Sequence, residues 1–274
     1  MEDIRSEAVA GVFYPAEEEE LRRQIKLLLD TNKPDKRYEN VVGIVSPHAG
    51  YVYSGKSAAY AYNVLKSDAI FDTVIIISPS HKEYFHGISI YDGDAYKTPL
   101  GIIPINKSLS QNIIENSSHI YFGKEGHGSE HALEVQLPFL QMIKDSFSIV
   151  PIVIGDQSKD YIDDLAQSLS KCIGENIVVV ASSDLSHFHQ KNKSDQLNSI
   201  IEKHINEFNF NDLMEDLESH KCEACGGGGI VALMKAASLQ KESKAEVLSY
   251  TDSSEVSGDT SSVVGYLSAV FFRN

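Results

Sequence analysis

Apolar β-branched runs occur at three places in the chain, and each ends in a polar turn that begins with serine and contains a histidine. The runs cover residues 41–45, 74–77 and 177–181, and the histidines after them are His48, His81 and His187. Continuous Val/Ile runs of this length are typical of strands buried on both faces of a parallel sheet. The carboxyl ends of parallel strands share one edge, where ligands bind. We therefore expect the three histidines to meet at that edge.

The rest of the pattern alternates helices with strands. Apolar residues at helical spacing predict helices over residues 17–30, 54–66, 107–116, 130–144, 158–172 and 230–239, and a charged helical region over 195–218. Further strands are predicted over 149–154, 246–250 and 263–272, and short antiparallel strands within 86–105. No linker or low-complexity tract divides the chain. The sequence therefore predicts a single α/β domain over residues 1–274, with a mainly parallel central sheet flanked by helices.

The composition of the chain disfavours several classes of protein. The 274 residues carry a net charge of −15, which disfavours nucleic acids and anionic membranes as partners. No apolar stretch approaches the ~18 residues of a membrane span, and the N-terminus lacks the pattern of a signal peptide. Three cysteines do not make a disulfide framework in a chain of this length. We expect a soluble, cytoplasmic protein that binds neither nucleic acid nor membrane.

The strand-end histidines suit either metal binding or proton transfer. Imidazole is a common ligand of transition metals and also titrates near neutral pH. A single histidine in such a turn is more often explained by local hydrogen bonds, but three equivalent positions favour a shared site. Asp184 precedes His187 by three residues. Its carboxylate is predicted to orient that imidazole, with the capping of a helix as its other role.

Residues 127–136 hold a second group of polar side chains. Glu130 and Glu134 are four residues apart on one face of the predicted helix, and His131 adjoins Glu130. No HExxH motif is present, so the segment does not match a zinc protease. For Glu130 and His131 we weigh a solvated helix start and a supporting role at the site equally. Glu134 is predicted to face solvent.

Cysteines and glycines meet in residues 222–229. Cys222 and Cys225 form a lone CxxC pair, which is a weak indication of zinc or redox chemistry. The four glycines after Cys225 indicate a tight turn packed against the sheet, with an anion site at the following helix as a minor alternative. Cys172 lies inside an amphipathic helix and is predicted to be in the core.

The polar loop before the last strand is a further source of ligands. It is rich in Ser, Asp and Gly, and it is either a flexible surface loop or the source of a carboxylate from Glu255 or Asp259. Two histidines and one carboxylate are the usual ligand set of non-haem Fe(II). Such a set leaves open positions on the metal for oxygen and substrate.

Several of these segments occur in the same order in a known family. Across nearly the whole chain lie the motifs VAGVFYPA, SPHAGYVYSG, SPSH, SEHALEVQLPFL, ASSDLSH, CGGGGI and SSEVSGDTSSVVGYLSAVFF. With these motifs the chain resembles the Memo family. That family is similar in fold to the class III extradiol dioxygenases, which hold a metal in a cleft of an α/β sheet. The resemblance therefore implies a class III extradiol dioxygenase-like fold and a metal site.

The resemblance also implies roles for individual residues. His48 and His81 match the two metal-ligand histidines. His187, with Asp184 nearby, matches the histidine that serves as acid and base in the dioxygenases. Cys225 matches a family cysteine before the glycine turn and is implied to line the cleft. From the residues alone, Tyr51, Glu130 and His131 are predicted to contact the substrate or to support the ligands.

The third metal ligand is a choice within the loop before the last strand. The dioxygenases use a glutamate there, and Glu255 is the match in this chain, with Asp252 and Asp259 as alternatives. A carboxylate ligand shifts the metal preference towards Fe(II) or Mn(II). The implied cofactor is therefore a divalent metal, Fe(II) first, with zinc or copper as alternatives.

Two functions follow from the residues and the resemblance. The first is a non-haem Fe(II)-dependent, dioxygenase-like redox enzyme that acts on a small aromatic or enediol-type substrate. The second is a non-catalytic metal- or peptide-binding adaptor that uses the same cleft, with Tyr51 and Tyr53 as binding surface. A serine hydrolase is disfavoured because no GxSxG motif is present. The resemblance also implies AMMECR-type and radical-SAM proteins as neighbours.

Overall fold

The structure is a computed structural model, which describes residues 3–67, 70–174, 176–240 and 242–273. The strands, in chain order, are β1 (Ile4–Arg5), β2 (Val41–Ser46), β3 (Thr73–Pro79), β4 (Ile88–Tyr91), β5 (Ala95–Thr98), β6 (Gly101–Pro104), β7 (Ile120–Gly123), β8 (Ser148–Ile154), β9 (Ile177–Ser182), β10 (His187–His189), β11 (Ser243–Asp252) and β12 (Val263–Arg273). The α-helices are α1 (Glu18–Thr31), α2 (Tyr51–Ser67), α3 (Lys107–Glu115), α4 (Leu137–Ile143), α5 (Lys159–Ser170), α6 (Lys191–Asn206), α7 (Phe210–Glu218), α8 (Gly227–Ser238) and α9 (Ser254–Ser257), and a 3₁₀ turn covers Glu134–Gln136.

The central sheet has a parallel middle and mixed flanks. Among the described residues its strand order is β10-β12-β2-β9-β3-β8-β4-β7, and β11 pairs with β12 outside this order. The strands β2, β9, β3 and β8 are parallel neighbours. In contrast, β12 is antiparallel to β2, and β4 is antiparallel to β8. The predicted α/β fold is confirmed, and the buried Val/Ile runs form the parallel centre of its sheet.

Both faces of the central strands are buried, as their continuous apolar sequence predicts. Ile75 and Ile77 pack on one face, in a core that includes residues of α5 and α8. Val74 and Ile76 pack on the other face, with residues of α1, α2 and α4. Successive side chains of a strand point to opposite faces, so helices on both sides of the sheet exclude water from these positions.

A separate small sheet ties the N-terminal residues to the middle of the chain. It consists of β1, β5 and β6, with β1 parallel to β5 and β5 antiparallel to β6. The antiparallel strands expected within residues 86–105 are therefore present. The pairing of β1 with β5 also holds Arg5, the residue after Ile4, where its side chain contacts residues 127–134.

Several helices begin or end at other residues than predicted, and α2, for example, begins at Tyr51 instead of Ser54. The chain is irregular at the start of the expected helix 130–144, because the Glu130 side chain binds the backbone amides of the next two residues. The charged region 195–218 forms two helices, α6 and α7, separated by Phe208 with a left-handed φ of 56°. Helix α8 begins at Gly227, inside the glycine run. None of the described helices is long and apolar enough to cross a membrane.

Candidate metal centre

Three histidines lie together at the carboxyl edge of the central strands. His48 and His81 each follow the end of a strand by two residues, after β2 and β3, and His131 precedes the 3₁₀ turn. The potential ligand atoms of the three side chains lie within 4.8 Å of one another. Their ring centroids are 4.7 to 5.4 Å apart. The structure thus brings His48 and His81 together, as the strand pattern indicated, and adds His131 to them.

Hydrogen bonds around Ser182 determine which nitrogen of His48 is free. Ser46 pairs with Ser182 across β2 and β9, so the end of β9 lies beside the turn that carries His48. The Ser182 hydroxyl donates to the Ala132 carbonyl at 2.7 Å and accepts from Gln136 Nε2 at 2.8 Å. Its one proton is then used, so His48 Nδ1, at 2.9 Å, is the donor in their hydrogen bond. Nε2 of His48 keeps its lone pair for a metal.

The direction of this network is fixed at its far end by Tyr62. The Tyr62 hydroxyl donates to Gln136 Oε1 at 2.7 Å. Gln136 Nε2 therefore points the other way, where it donates to the Pro47 carbonyl at 3.0 Å as well as to Ser182. The whole chain of bonds is buried. Its members consequently hold a single arrangement of donors and acceptors, which sets the tautomer of His48.

Glu130 holds the other two imidazoles. Its Oε1 lies 3.0 Å from His81 Nδ1 and 3.1 Å from His131 Nδ1. The carboxylate also accepts from the backbone amide of His81 at 2.5 Å and from those of His131 and Ala132 at 2.9 Å. Burial raises the pKa of this carboxyl, but the hydrogen bonds from His131 and His81 outweigh burial and hold the pKa well below its usual value. An ionised carboxylate only accepts, so both Nδ1 atoms donate and both Nε2 atoms are left for a metal.

This donor set fits a divalent transition metal. Burial, reinforced by the neighbouring His81 and His131, lowers the pKa of His48 well below its usual value, so its imidazole is neutral at pH 7. Glu130 places a negative charge directly behind the other two rings. Imidazoles whose outer nitrogen donates to a carboxylate or hydroxyl are the common arrangement at zinc, copper and iron sites. The group is therefore suited to hold one such ion.

Cys225 brings a thiol next to the free nitrogen of His48. Its Sγ lies 3.1 Å from His48 Nε2. This approach depends on Gly226, where a Cβ would lie 2.2 Å from the Ser182 carbonyl oxygen. Burial and the neighbouring Asp184 raise the pKa of the Cys225 thiol, so the free thiol is protonated. The glycine run thus packs against the strand end, as the sequence indicated, and carries Cys225 to the centre.

Asp184 bonds to the turn of His48, whereas the sequence predicted that it orients His187. Its Oδ1 accepts from the backbone amide of His48 at 2.8 Å, and its Oδ2 lies 4.0 Å from His48 Nε2. Burial raises the pKa of Asp184 to about 6, although the hydrogen bond from His48 opposes this change. The physical reason for the difference is that no helix follows β9, so residues three apart do not share a face. Asp184 is a positioning residue for His48.

His187 lies beside the group of three histidines. It begins β10, where it pairs with Val264, and its side chain is partly buried. Burial and the nearby His81 lower its pKa, while a hydrogen bond with the Leu185 backbone opposes the change. His187 lines a cavity together with Cys225. His187 is not a member of the group with metal-ligand spacing among the described residues, and its role as acid and base stays a prediction.

The structure does not bring Glu255 to the histidines. Its carboxylate forms an ion pair with Lys56 at 2.8 Å, with 45% of the side chain exposed. It lies on the short helix α9, which contacts α2. The alternatives are also engaged elsewhere: Asp252 with Lys191, and Asp259 with Ser261. Among the described residues, the group with metal-ligand spacing contains no carboxylate, and His131 occupies the third position.

The prediction that Glu134 faces solvent is wrong. Its side chain is fully buried and forms an ion pair with Arg5. Its carboxylate also accepts from the backbone amides of Ala8 at 2.8 Å and Val9 at 3.1 Å, and from the Tyr14 hydroxyl at 2.5 Å. Burial together with Glu134 raises the pKa of Tyr14. The N-terminal residues therefore cover this side of the predicted helix, which excludes the solvent that the sequence pattern placed there.

Arg5 also holds the segment that carries the ligand His131. Its guanidinium donates to the carbonyls of His127 at 3.0 Å, Gly128 at 3.2 Å and Glu130 at 2.6 Å. A planar guanidinium with five donors suits such convergent acceptors. The position of His131 in the centre consequently depends on a residue more than 120 positions away in sequence.

Tyr51 is buried below the centre. Its hydroxyl donates to the Val135 carbonyl at 2.7 Å, and its ring packs against Tyr14 and Phe139. Tyr51 therefore supports the segment after His131, and its side chain is buried. Of the two predicted roles of Tyr51, contact with the substrate and support of the site, these contacts fit the second.

We expect His127→Gln to reduce the loss of stability in acid. Burial lowers the pKa of His127 from 6.5 to about 3. Between these values the unfolded chain binds a proton that the folded protein does not, so the free energy of unfolding falls as the pH decreases. Chemical denaturation at pH 6.5 and 4.5 should show that the wild type loses about 2 kcal/mol more than the variant. An equal loss in both proteins would contradict a neutral, buried His127.

A comparison with models of known protein families shows to which family the chain belongs. A family model described as Memo-like protein matches residues 5–270. The chain belongs to the Memo family. Its relatives in that family include MEMO1 family proteins of Sulfurisphaera tokodaii, 38% identical, Thermoplasma volcanium, 35% identical, and Thermotoga maritima, 34% identical. Each alignment covers 98% of this chain and 99% of the relative. The resemblance expected from the sequence motifs is confirmed.

A solved structure shares the fold of this Memo chain. It is the crystal structure of an uncharacterized protein from Escherichia coli K12, which superposes with a TM-score of 0.57. The match covers 84% of this chain and 99% of that chain, at 12% sequence identity. At such low identity the similarity concerns the α/β fold alone.

Proposed function

We propose that this Memo protein is a metal-dependent redox enzyme of the dioxygenase type, with Fe(II) held by His48, His81 and His131. The observation that carries the proposal is the convergence of three imidazoles whose Nδ1 atoms are all engaged, which leaves three Nε2 donors. Three protein ligands leave open positions on the metal, as catalytic sites require. The substrate class is a small aromatic or enediol-type molecule.

Different residues of the chain have different roles at this centre. A bound Fe(II) supplies a template and Lewis acid for oxygen and an oxygen-bearing substrate. Glu130 keeps the rings of His81 and His131 in one orientation. His187 accepts a proton from a substrate hydroxyl at the ring nitrogen that is not bonded to the Leu185 backbone. The buried network behind His48 excludes water from the rear of the site.

Cys225 affects the preference of the site for Fe(II) over zinc and copper(I). Two ligands of one metal lie roughly 3 to 4 Å apart, and the separation of 3.1 Å between Cys225 Sγ and His48 Nε2 falls in that range. Thiolate is a soft ligand that favours zinc and copper(I), whereas an all-imidazole set accepts Fe(II). Entry of Cys225 as a fourth donor therefore stabilises the softer metals at the expense of Fe(II).

Two histidine variants separate metal binding from turnover. We expect His81→Ala to lose the metal, because one Nε2 donor and its Glu130 contact disappear. We expect His187→Ala to keep the metal and to consume oxygen at least about 100-fold more slowly with catechols, because the proton acceptor is gone. Metal content after anaerobic iron loading and oxygen uptake are the measurements. His86→Ala, with a side chain 77% exposed, is the matched control and should change neither.

Two outcomes decide against the enzyme. Full oxygen uptake in both His81→Ala and His187→Ala would overturn the assignment of these residues. Tight metal binding without oxygen uptake on a panel of catechols would instead favour a metal- or peptide-binding adaptor. The observation that supports this second candidate is a pair of apolar side chains in the first turn of α2, close to His48. They are Val52 and Tyr53, which are 65% and 43% exposed.

A further inference from the structure

A cavity of about 370 Å³ adjoins the histidine centre. It lies between the chain that follows β9 and the segment that joins α7 to α8. Apolar side chains make up much of its lining, among them Leu185, Met214, Leu217 and Ala224. A volume of this size is typical of sites for small molecules.

Two residues of the proposed reaction connect the cavity with the three-histidine centre. His187 and Cys225 both line it, and Cys225 Sγ contacts His48 Nε2 at 3.1 Å. The side chain of Cys225 therefore contacts both the cavity and the proposed ligand His48. The cavity extends the candidate site and is not a separate one.

Several donors of the cavity wall near α8 are already engaged. Gln157 uses both ends of its amide, since Nε2 donates to the Cys225 carbonyl at 2.7 Å and Oε1 accepts from the Gly228 amide at 2.8 Å. The amide of Gly226 donates to Ser183 Oγ at 2.9 Å. The anion site that the glycine run suggested as a minor alternative is thus disfavoured, because these amides at the start of the helix are already bonded.

Acidic side chains supply the charge of the cavity. Glu218 and Glu223 line it, and Glu223 Oε2 accepts from His189 Nε2 at 2.8 Å. His187 and His220 are the other ionisable side chains apart from the thiols, and the described lining residues include no lysine or arginine. An apolar wall with carboxylates and without a fixed cation is complementary to a ligand that has an apolar body and a positively charged donor.

We propose that this cavity binds the substrate through an apolar ring or chain and a protonated amine. The apolar part contacts Leu185, Met214 and Leu217, and the amine donates to Glu218 and Glu223. The opposite, reacting end then faces His187 and Cys225. Only the statement that the bound molecule is the substrate rests on the proposed function. The preference of the cavity for amines follows from its lining alone.

Three probes that differ in charge test this preference. They are 2-phenylethylamine, 2-phenylethanol and 3-phenylpropionate, which share one apolar body and bind no metal strongly. Ligand-detected NMR titration of the metal-free full chain measures each Kd. We expect the amine to bind at least about tenfold more tightly than the carboxylate, with the alcohol between them. In the variant Glu218→Gln/Glu223→Gln the three values should converge, with that of the alcohol unchanged. Glu19→Gln, on the exposed first turn of α1, is the matched control.

Each outcome of this titration has a definite meaning. Equal affinities, tighter binding of the carboxylate, or no binding of any probe would overturn the proposal. An amine preference that survives in Glu218→Gln/Glu223→Gln would overturn the role of these two carboxylates. Because the titration uses metal-free protein, failure of iron binding or oxygen uptake leaves its result unaffected. Conversely, an enzyme active on catechols without amine preference would refute the cavity proposal alone.

Discussion

Glu130→Gln is expected to weaken metal binding about 10- to 100-fold. The carboxylate of Glu130 accepts hydrogen bonds from the Nδ1 atoms of both His81 and His131. Glutamine carries no negative charge behind the two imidazoles, and its NH₂ group, in the place of Oε2, would face the backbone amide of His81. Both rings are then held less firmly, and their Nε2 atoms become weaker metal ligands. Competition with a coloured chelator measures the ratio of the dissociation constants of variant and wild type.

Glu255→Gln is the matched control for this experiment. Its carboxylate pairs with Lys56 at the surface, so we expect the metal affinity to stay at the wild-type value. If Glu255→Gln lost affinity and Glu130→Gln did not, Glu255 would be the third metal ligand, as in the class III extradiol dioxygenases. That result would equally refute the three-histidine group.

Arg5→Met is expected to lower the free energy of unfolding by about 3–5 kcal/mol. Methionine leaves the carboxylate of Glu134 buried without its cation. It also removes the donors to the carbonyls of His127, Gly128 and Glu130. Urea denaturation of both proteins at pH 7 measures the difference. The same variant should bind metal more weakly, because the segment that carries His131 is no longer held.

Two further variants separate the buried pair from the surrounding contacts. Arg5→Met/Glu134→Leu removes both charges and should recover part of the lost stability, since no unpaired ion remains buried. Lys124→Met removes an exposed ion pair with Asp3 next to the same N-terminal strand, and we expect little change. Equal stability of Arg5→Met and Lys124→Met would show that the buried pair does not hold the N-terminal residues in place.

The central sheet could be predicted from the sequence because its signals are local. Residues 74–77 are continuous Ile and Val, and a strand buried on both faces needs no other information. The same holds for the positions of His48 and His81, since both follow directly from where a buried strand ends. The pairing of Ile4 with Ala95 has no such signal, because two residues of β1 are too few to show a period.

The third histidine was harder to predict because long-range contacts place it. The segment of His131 is held to β9 by the bond from Ser182 to the Ala132 carbonyl, across 50 positions. The local signal was the adjacency of Glu130 and His131, a carboxylate beside an imidazole, which fits a ligand and its support. The sequence-based choice of Glu255 followed the dioxygenase pattern instead. It did not take into account that Lys56 is available to pair with this carboxylate.

The burial of Glu134 and the contact of Asp184 with the turn of His48 have a common physical cause. Both positions were predicted from local helical periodicity, whereas long-range contacts determine their surroundings. Glu134 is covered by the N-terminal residues through Arg5, and Asp184 bonds to the turn of His48. A buried carboxylate requires partners, and those partners come from distant parts of the chain that helical periodicity does not describe.

X-ray absorption at the iron edge tests the central claim most directly. Anaerobically loaded wild type and His131→Ala are compared, with iron content measured in the same samples. We expect one iron per chain with scattering from three imidazoles in the wild type, and loss of the iron in His131→Ala, as in His81→Ala. Two imidazoles and a carboxylate in both proteins, with unchanged spectra, would contradict the site formed by His48, His81 and His131.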